Sequence, residues 1–247
     1  MIIEYLKSLP WVSDSAMGLY ILLLFWIAFH IFKKYKKEKE NRLLLYFSKF
    51  FFFHGLFVLF IIFPDFFASS GSFAIAYIGF GIGLLPRAYA WATLMRIPAF
   101  LEWPKYELKI FYSMLVFHLI PWVLVFFNPF NAIYDTQMHV KLINMPPFLG
   151  GIIFLSMAAV VSPFIYVFVK QAFKTSKPFV KRRAFLLSVG FLLLLATGPM
   201  HNFGKTALHF FLIEIGTAIS ALVIFSGIIY HQKAVSSEDI NSSQSVL

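Results

Sequence analysis

The chain has no cysteine in 247 residues, and few acids: 11 aspartates and glutamates against 21 lysines and arginines. Without a thiol there is no disulfide, no thiolate metal site, no cysteine nucleophile and no thiolate-ligated haem. Charge of either sign is scarce. Asp, Glu, Lys and Arg together make 13% of the chain, about half the ~25% found in soluble domains. That excludes an ordinary water-soluble domain, because too little polar surface exists to cover it. What fills the sequence instead is apolar, at 60% hydrophobic residues with 33 phenylalanines.

The apolar residues fall into seven stretches, at 17–32, 50–67, 73–95, 110–127, 148–169, 184–200 and 206–230. Each approaches the ~20 residues that a helix needs to cross a ~30 Å hydrocarbon core. A membrane β-barrel is excluded by pattern, since its strands alternate in polarity while 50–63 is almost unbroken apolar. The sequence therefore predicts an all-α, polytopic integral membrane protein, a seven-transmembrane-helix bundle over residues 1–235. A polar, Ser-rich tail at 236–247 follows, with a composition that predicts disorder.

Charge placement sets the expected orientation. Seventeen of the 21 basic residues follow the first, third, fifth and seventh stretches, with clusters at Lys33–Lys39 and Lys177–Arg183. The opposite side holds only Lys7, Lys141 and Lys205. By the positive-inside rule the N-terminus lies outside and the C-terminus is cytoplasmic. A net charge of +10 can mark a nucleic-acid binder. Charges gathered at helix ends instead set topology and meet anionic inner-leaflet headgroups. The lipid bilayer is thus the expected partner, with a membrane or cytoplasmic protein as a further candidate and nucleic acid excluded. The expected location is a bacterial inner or plasma membrane. The first stretch does not read as a cleaved signal peptide, because its basic cluster follows the apolar run.

Two formally charged residues sit deep in the stretches. Arg87 lies nine residues from Arg96, and Glu214 nine from Lys205, each ~13 Å at ~1.5 Å per residue. Their levels in a ~30 Å core then differ by only ~4 Å. A charge facing lipid at that depth costs ~2.5 kcal/mol or more, so both should face protein or water. Gly79, Gly83, Arg87 and Trp91 recur every four residues, and the glycines allow close helix approach. Trp91 is placed to stack on the guanidinium. On the seventh stretch Glu214, Thr217 and Ala221 form a second stripe of small or polar residues. These spacings predict a ligand site or buried ion pair of Arg87 and Glu214, with Trp91 and Thr217 beside it. His54 and His118 lie at similar depth on helices that run outward, a spacing open to haem ligation. Asp135, His139, His201 and His209 near the outer loops lack an HExxH or a tight His-x3-His pair, so no metal site is expected.

Seven helices, N-terminus outside, in about 250 residues resemble the architecture of microbial rhodopsins. Arg87-x3-Trp91 in the third helix and Glu214 in the seventh are similar to residues that line the retinal pocket of that family. The family's seventh-helix lysine, four residues after the acid, is replaced here by Ala218, and no lysine lies within the seventh stretch. No covalent retinal is therefore expected. The leading functional reading is a receptor-like or partner-regulating membrane protein, binding a small or lipid-like ligand at an intramembrane polar site. One alternative is a transporter or ion/proton pathway using Arg87 and Glu214. Another is a haem- or metal-dependent membrane enzyme using the histidines, with haem b as its cofactor. No catalytic residue is assigned, no cofactor is expected under the leading reading, and the balance leans away from an enzyme.

Overall fold

The computed structural model describes the backbone at residues 10–67, 73–128, 132–135, 140–143, 146–200 and 207–244, and side chains at 15–62, 78–128, 146–198, 200 and 208–229. Among the described residues there are seven α-helices: α1 (Pro10–Lys37), α2 (Arg42–Phe67), α3 (Phe73–Glu102), α4 (Glu107–Phe127), α5 (Pro147–Lys174), α6 (Pro178–Met200) and α7 (Ala207–Gln244). Pro147 and Pro178 open α5 and α6 at the first helical position, where a missing N–H costs nothing.

Five of the seven, α1, α2, α4, α5 and α7, carry spans long and apolar enough to cross a membrane, as an integral membrane protein requires. No such span occurs among the described side chains of α3 and α6. Arg87, Tyr89 and Arg96, with Pro86 and Pro98, interrupt α3, and Lys181, Arg182 and Arg183 occupy the start of α6.

Three features depart from the sequence reading. A small antiparallel hairpin, β1 (Ala132–Asp135) paired with β2 (Val140–Ile143), interrupts the all-α pattern in the loop after α4. Four-residue strands are too short to leave a periodic signal. The connection after α3 is also shorter than 96–109. Helix α3 runs on through Pro98 to Glu102, and only Trp103 and a 3-10 turn (Pro104–Tyr106) precede α4. Finally, α7 extends to Gln244, past the last apolar stretch at 206–230. A helix already nucleated in an apolar segment propagates at little cost.

Neighbours in sequence pack together, and α7 returns to pack on α1, which closes a ring. Helix α3 also touches α5 directly, so α4 is displaced to the rim. Only 22% of the apolar span of α4 is buried, against 50% for those of α2 and α7. Helix α3 packs on α2, α4 and α5 and is deeply buried over residues 88–99. Ala88, Ala90, Trp91, Ala92, Leu94, Ile97 and Ala99 are all fully buried, although they point in every direction around it. Two glycines set the approach distances. A Cβ on Gly83 would lie 3.2 Å from Phe60 Cβ and 3.3 Å from the Phe57 carbonyl, so α2 and α3 touch there. A Cβ on Gly190 would lie 3.0 Å from the Ile224 nitrogen, and Ser220 Oγ donates to the Gly190 carbonyl at 2.7 Å, which locks α7 onto α6.

The starts of α1, α3, α5 and α7, with the hairpin, define one end of the molecule. The other end carries the basic clusters. There Glu107 of α4 accepts from Tyr46 of α2 at 2.6 Å and from Arg96 Nε of α3 at 2.7 Å. Arg96 also lies 4.4 Å over the Tyr46 ring. Lys170 of α5 donates to Glu102 of α3 at 2.6 Å.

Candidate functional site

The core divides by depth. Towards the basic end, five fully buried aromatic residues from four helices interlock: Phe47 and Phe50 (α2), Trp91 (α3), Phe164 (α5) and Phe191 (α6). Their centroids lie 5.4 Å apart for Phe50–Trp91, 5.7 Å for Phe50–Phe191 and 4.2 Å for Phe164–Phe191. Most of these pairs are edge-to-face or tilted, the arrangement that ring quadrupoles favour. They form a floor.

One helical turn towards the hairpin end, the lining changes. His54 is one turn along α2 from Phe50, and its ring stacks on that phenylalanine at 5.6 Å and 8°. His54 Nε2 shares a 3.2 Å hydrogen bond with the Tyr20 hydroxyl of α1. Glu214 of α7 is 3% exposed and lies within electrostatic reach of that phenol. Thr217, one turn further along α7, turns its hydroxyl back to the Ile213 carbonyl at 2.8 Å. Arg87 is one turn from Trp91 and 1% exposed. Its Nη2 donates to the Ile153 carbonyl at 3.0 Å and to Ser156 Oγ at 3.3 Å, and its Nη1 reaches Ser156 Oγ at 3.3 Å. Ser156 Oγ in turn donates to the Ile153 carbonyl at 2.7 Å. Two hydrogen-bonded sets, Tyr20–His54 (α1, α2) and Arg87–Ser156 (α3, α5), thus lie within electrostatic reach of one another, with Glu214 of α7 in reach of the first. Arg87 lies within electrostatic reach of both His54 and His118.

Several groups in or beside this layer are unsatisfied. His118 of α4 is 0% exposed, and neither ring nitrogen has a hydrogen-bond partner among the described residues. His54 Nδ1 and Trp91 Nε1 are likewise buried and unpartnered. A buried polar atom without a partner costs ~1–3 kcal/mol, so each such atom marks a place where water or a ligand would be held.

The sequence-derived residues are thus partly brought together. Trp91 meets the His54 ring, Arg87 lies within electrostatic reach of His54 and His118, and Glu214 lies within electrostatic reach of Tyr20. Arg87 reaches α5 and places its guanidinium 5.9 Å from the Phe57 ring, while Trp91 meets Phe50 and His54. His54 has its Nε2 on Tyr20 and one face on Phe50. Of the outer-loop histidines and acid, His139 and His201 lie outside the described residues, as does the Asp135 side chain. His209 is exposed near the start of α7. No group of three metal-ligating side chains occurs among the described residues. Tyr20 and Ser156 were missed from sequence, because a lone tyrosine or serine in an apolar run gives no signal of its partner.

No protein-family model matches this chain, and no curated protein matches it. Its chemistry is therefore read from its own side chains.

Proposed function

We propose that this is a seven-helix membrane protein, N-terminus outside, that binds a small or lipid-like ligand bearing an acidic group at Arg87. In this reading it is receptor-like and passes occupancy of the site to a membrane or cytoplasmic partner. The observation that carries the proposal is the setting of Arg87. This cation is 1% exposed, its hydrogen bonds among the described residues go to neutral oxygens, and unpartnered His118 and His54 nitrogens are buried within its electrostatic reach. A buried guanidinium is costly without an anion, and a carboxylate or phosphate would offset that cost while taking up the free donors.

The aromatic floor favours a receptor over a pathway. Phe50, Trp91, Phe164 and Phe191 fill the section below Arg87, so a bound molecule would stop there. Mass spectrometry of small molecules released from the detergent-purified protein tests the reading. An acid-bearing compound should accompany the wild type and be depleted in Arg87→Met. Equal recovery from both would sink it. Flux of such a compound in proteoliposomes would move the assignment to a transporter. Orientation is tested separately, with single cysteines at Ser15 and Ser176 and an impermeant thiol reagent on intact cells. Labelling at Ser15 alone is expected, and labelling at Ser176 alone reverses the topology.

A further inference from the structure

Three rings meet in a triangle one turn along α3 from Arg87. Phe50 stacks on His54 at 5.6 Å, Trp91 meets Phe50 at 5.4 Å, and His54 and Trp91 lie 6.0 Å apart at 76°. Two of the three carry an unmet polar atom. Trp91 Nε1 and His54 Nδ1 are closed to solvent, on residues 0% and 7% exposed, and neither has a hydrogen-bond partner among the described residues. Phe57 connects this corner to Arg87, with its ring 5.9 Å from the His54 ring and 5.9 Å from the guanidinium. The chemistry of the two nitrogens limits what can meet them. An indole N–H only donates. His54 Nδ1 donates if the Tyr20 hydroxyl donates to Nε2, and accepts if Nε2 donates to Tyr20. A carbonyl oxygen meets both nitrogens in one of these tautomers. A hydroxyl meets them in either, because it accepts from Trp91 while accepting from His54 or donating to it.

We propose that the ligand is a hydroxy acid, whose acid group meets Arg87 and whose hydroxyl is held by Trp91 Nε1 and His54 Nδ1. The proposal rests on the acid-binding reading above and makes Trp91 and His54 the residues that determine specificity. Arg87 donates to Ile153 and Ser156 of α5, whereas Trp91 rests on Phe50 and His54 of α2. The two positions have different neighbours, so each calls for its own group on the ligand. They stand one turn apart on α3, ~5.4 Å along its axis, which suits an acid and a hydroxyl separated by a short run of carbons. A plain acid would leave two buried nitrogens unmet, and a site built to bond a hydroxyl rejects an analogue that lacks it.

The test uses the full chain in detergent, with affinity read from thermal unfolding and native mass spectrometry. The probes are two matched pairs, 3-hydroxybutyrate against butyrate and 3-hydroxydecanoate against decanoate. In at least one pair the hydroxy acid should bind about tenfold tighter or more. Trp91→Phe keeps a ring and removes the N–H, and should erase that preference. Should Trp91→Phe not fold, His54→Phe removes the other nitrogen and should also erase it. Equal binding within both pairs overturns this proposal alone and leaves water as the occupant of the two nitrogens. A preference that survives in the variant overturns it as well. Binding of none of the four acids overturns the acid reading at Arg87 together with this one, which separates the two failures.

Discussion

The two halves of this core are built from the same helices but solve different problems. Phe50 and His54 are one turn apart on α2, and Trp91 and Arg87 one turn apart on α3. On one side of that turn, five interlocked rings dominate, and the buried hydroxyls near them in sequence, Ser48 and Ser188, bond to backbone carbonyls. On the other, Tyr20, His54, Arg87, Ser156 and Glu214 form a layer that neutral partners only partly satisfy. Dispersion contacts between close-packed rings hold helices together even where lipid is the alternative surroundings. A partly satisfied polar layer does the reverse, because each unpaired group costs free energy until something binds it. The lower half is therefore where stability is expected to lie, and the upper half where binding is.

Truncation in the floor should produce the largest effect. Phe191→Ala removes a ring that meets both Phe50 and Phe164, and should cost ~3–5 kcal/mol, seen as a marked fall in melting temperature. A loss below 1 kcal/mol would break the contrast between the halves. Next comes the clamp at the basic end. Glu107 gathers Tyr46 and Arg96 from two other helices, so Glu107→Gln should cost ~1–3 kcal/mol by the same measurement.

In the polar layer the expectation inverts. Arg87→Met exchanges a buried cation on neutral acceptors for an apolar side chain of similar length. It should change stability by no more than ~1 kcal/mol, or raise it, because the guanidinium charge no longer has to be desolvated. A large loss would mean that Arg87 is a structural strut. The smallest expected quantity is the coupling of Arg87 with Glu214. Arg87 bonds to α5 while Glu214 acts on Tyr20 of α1. A double-mutant cycle of Arg87→Met and Glu214→Gln should therefore show less than ~0.5 kcal/mol of interaction. A value of several kcal/mol would establish direct pairing and move the site to the α3–α7 contact.

Much of this layout is legible in the chain. The scarcity of charge and seven apolar stretches announce helices suited to lipid, and five of them meet that standard in the structure. The depth of Arg87, Trp91, His54, His118 and Glu214 also follows from counting residues along helices, because rise per residue is fixed. Gly83 in the stripe with Arg87 was readable as a close approach, and α2 lies against it.

Partners were not readable. Which neighbour a side chain meets depends on how each helix is rotated and tilted, and that is set by local fit at places such as Gly190 against Ile224. Composition fixes that Arg87 must turn away from lipid. Only packing decided that it turns to Ser156 and Ile153, that Tyr20 meets His54 within electrostatic reach of Glu214, and that His118 is shut in with both nitrogens unmet. Hydropathy and charge are summed along a segment and survive any rotation of it, whereas a hydrogen bond between helices exists at one rotation and is lost at the next.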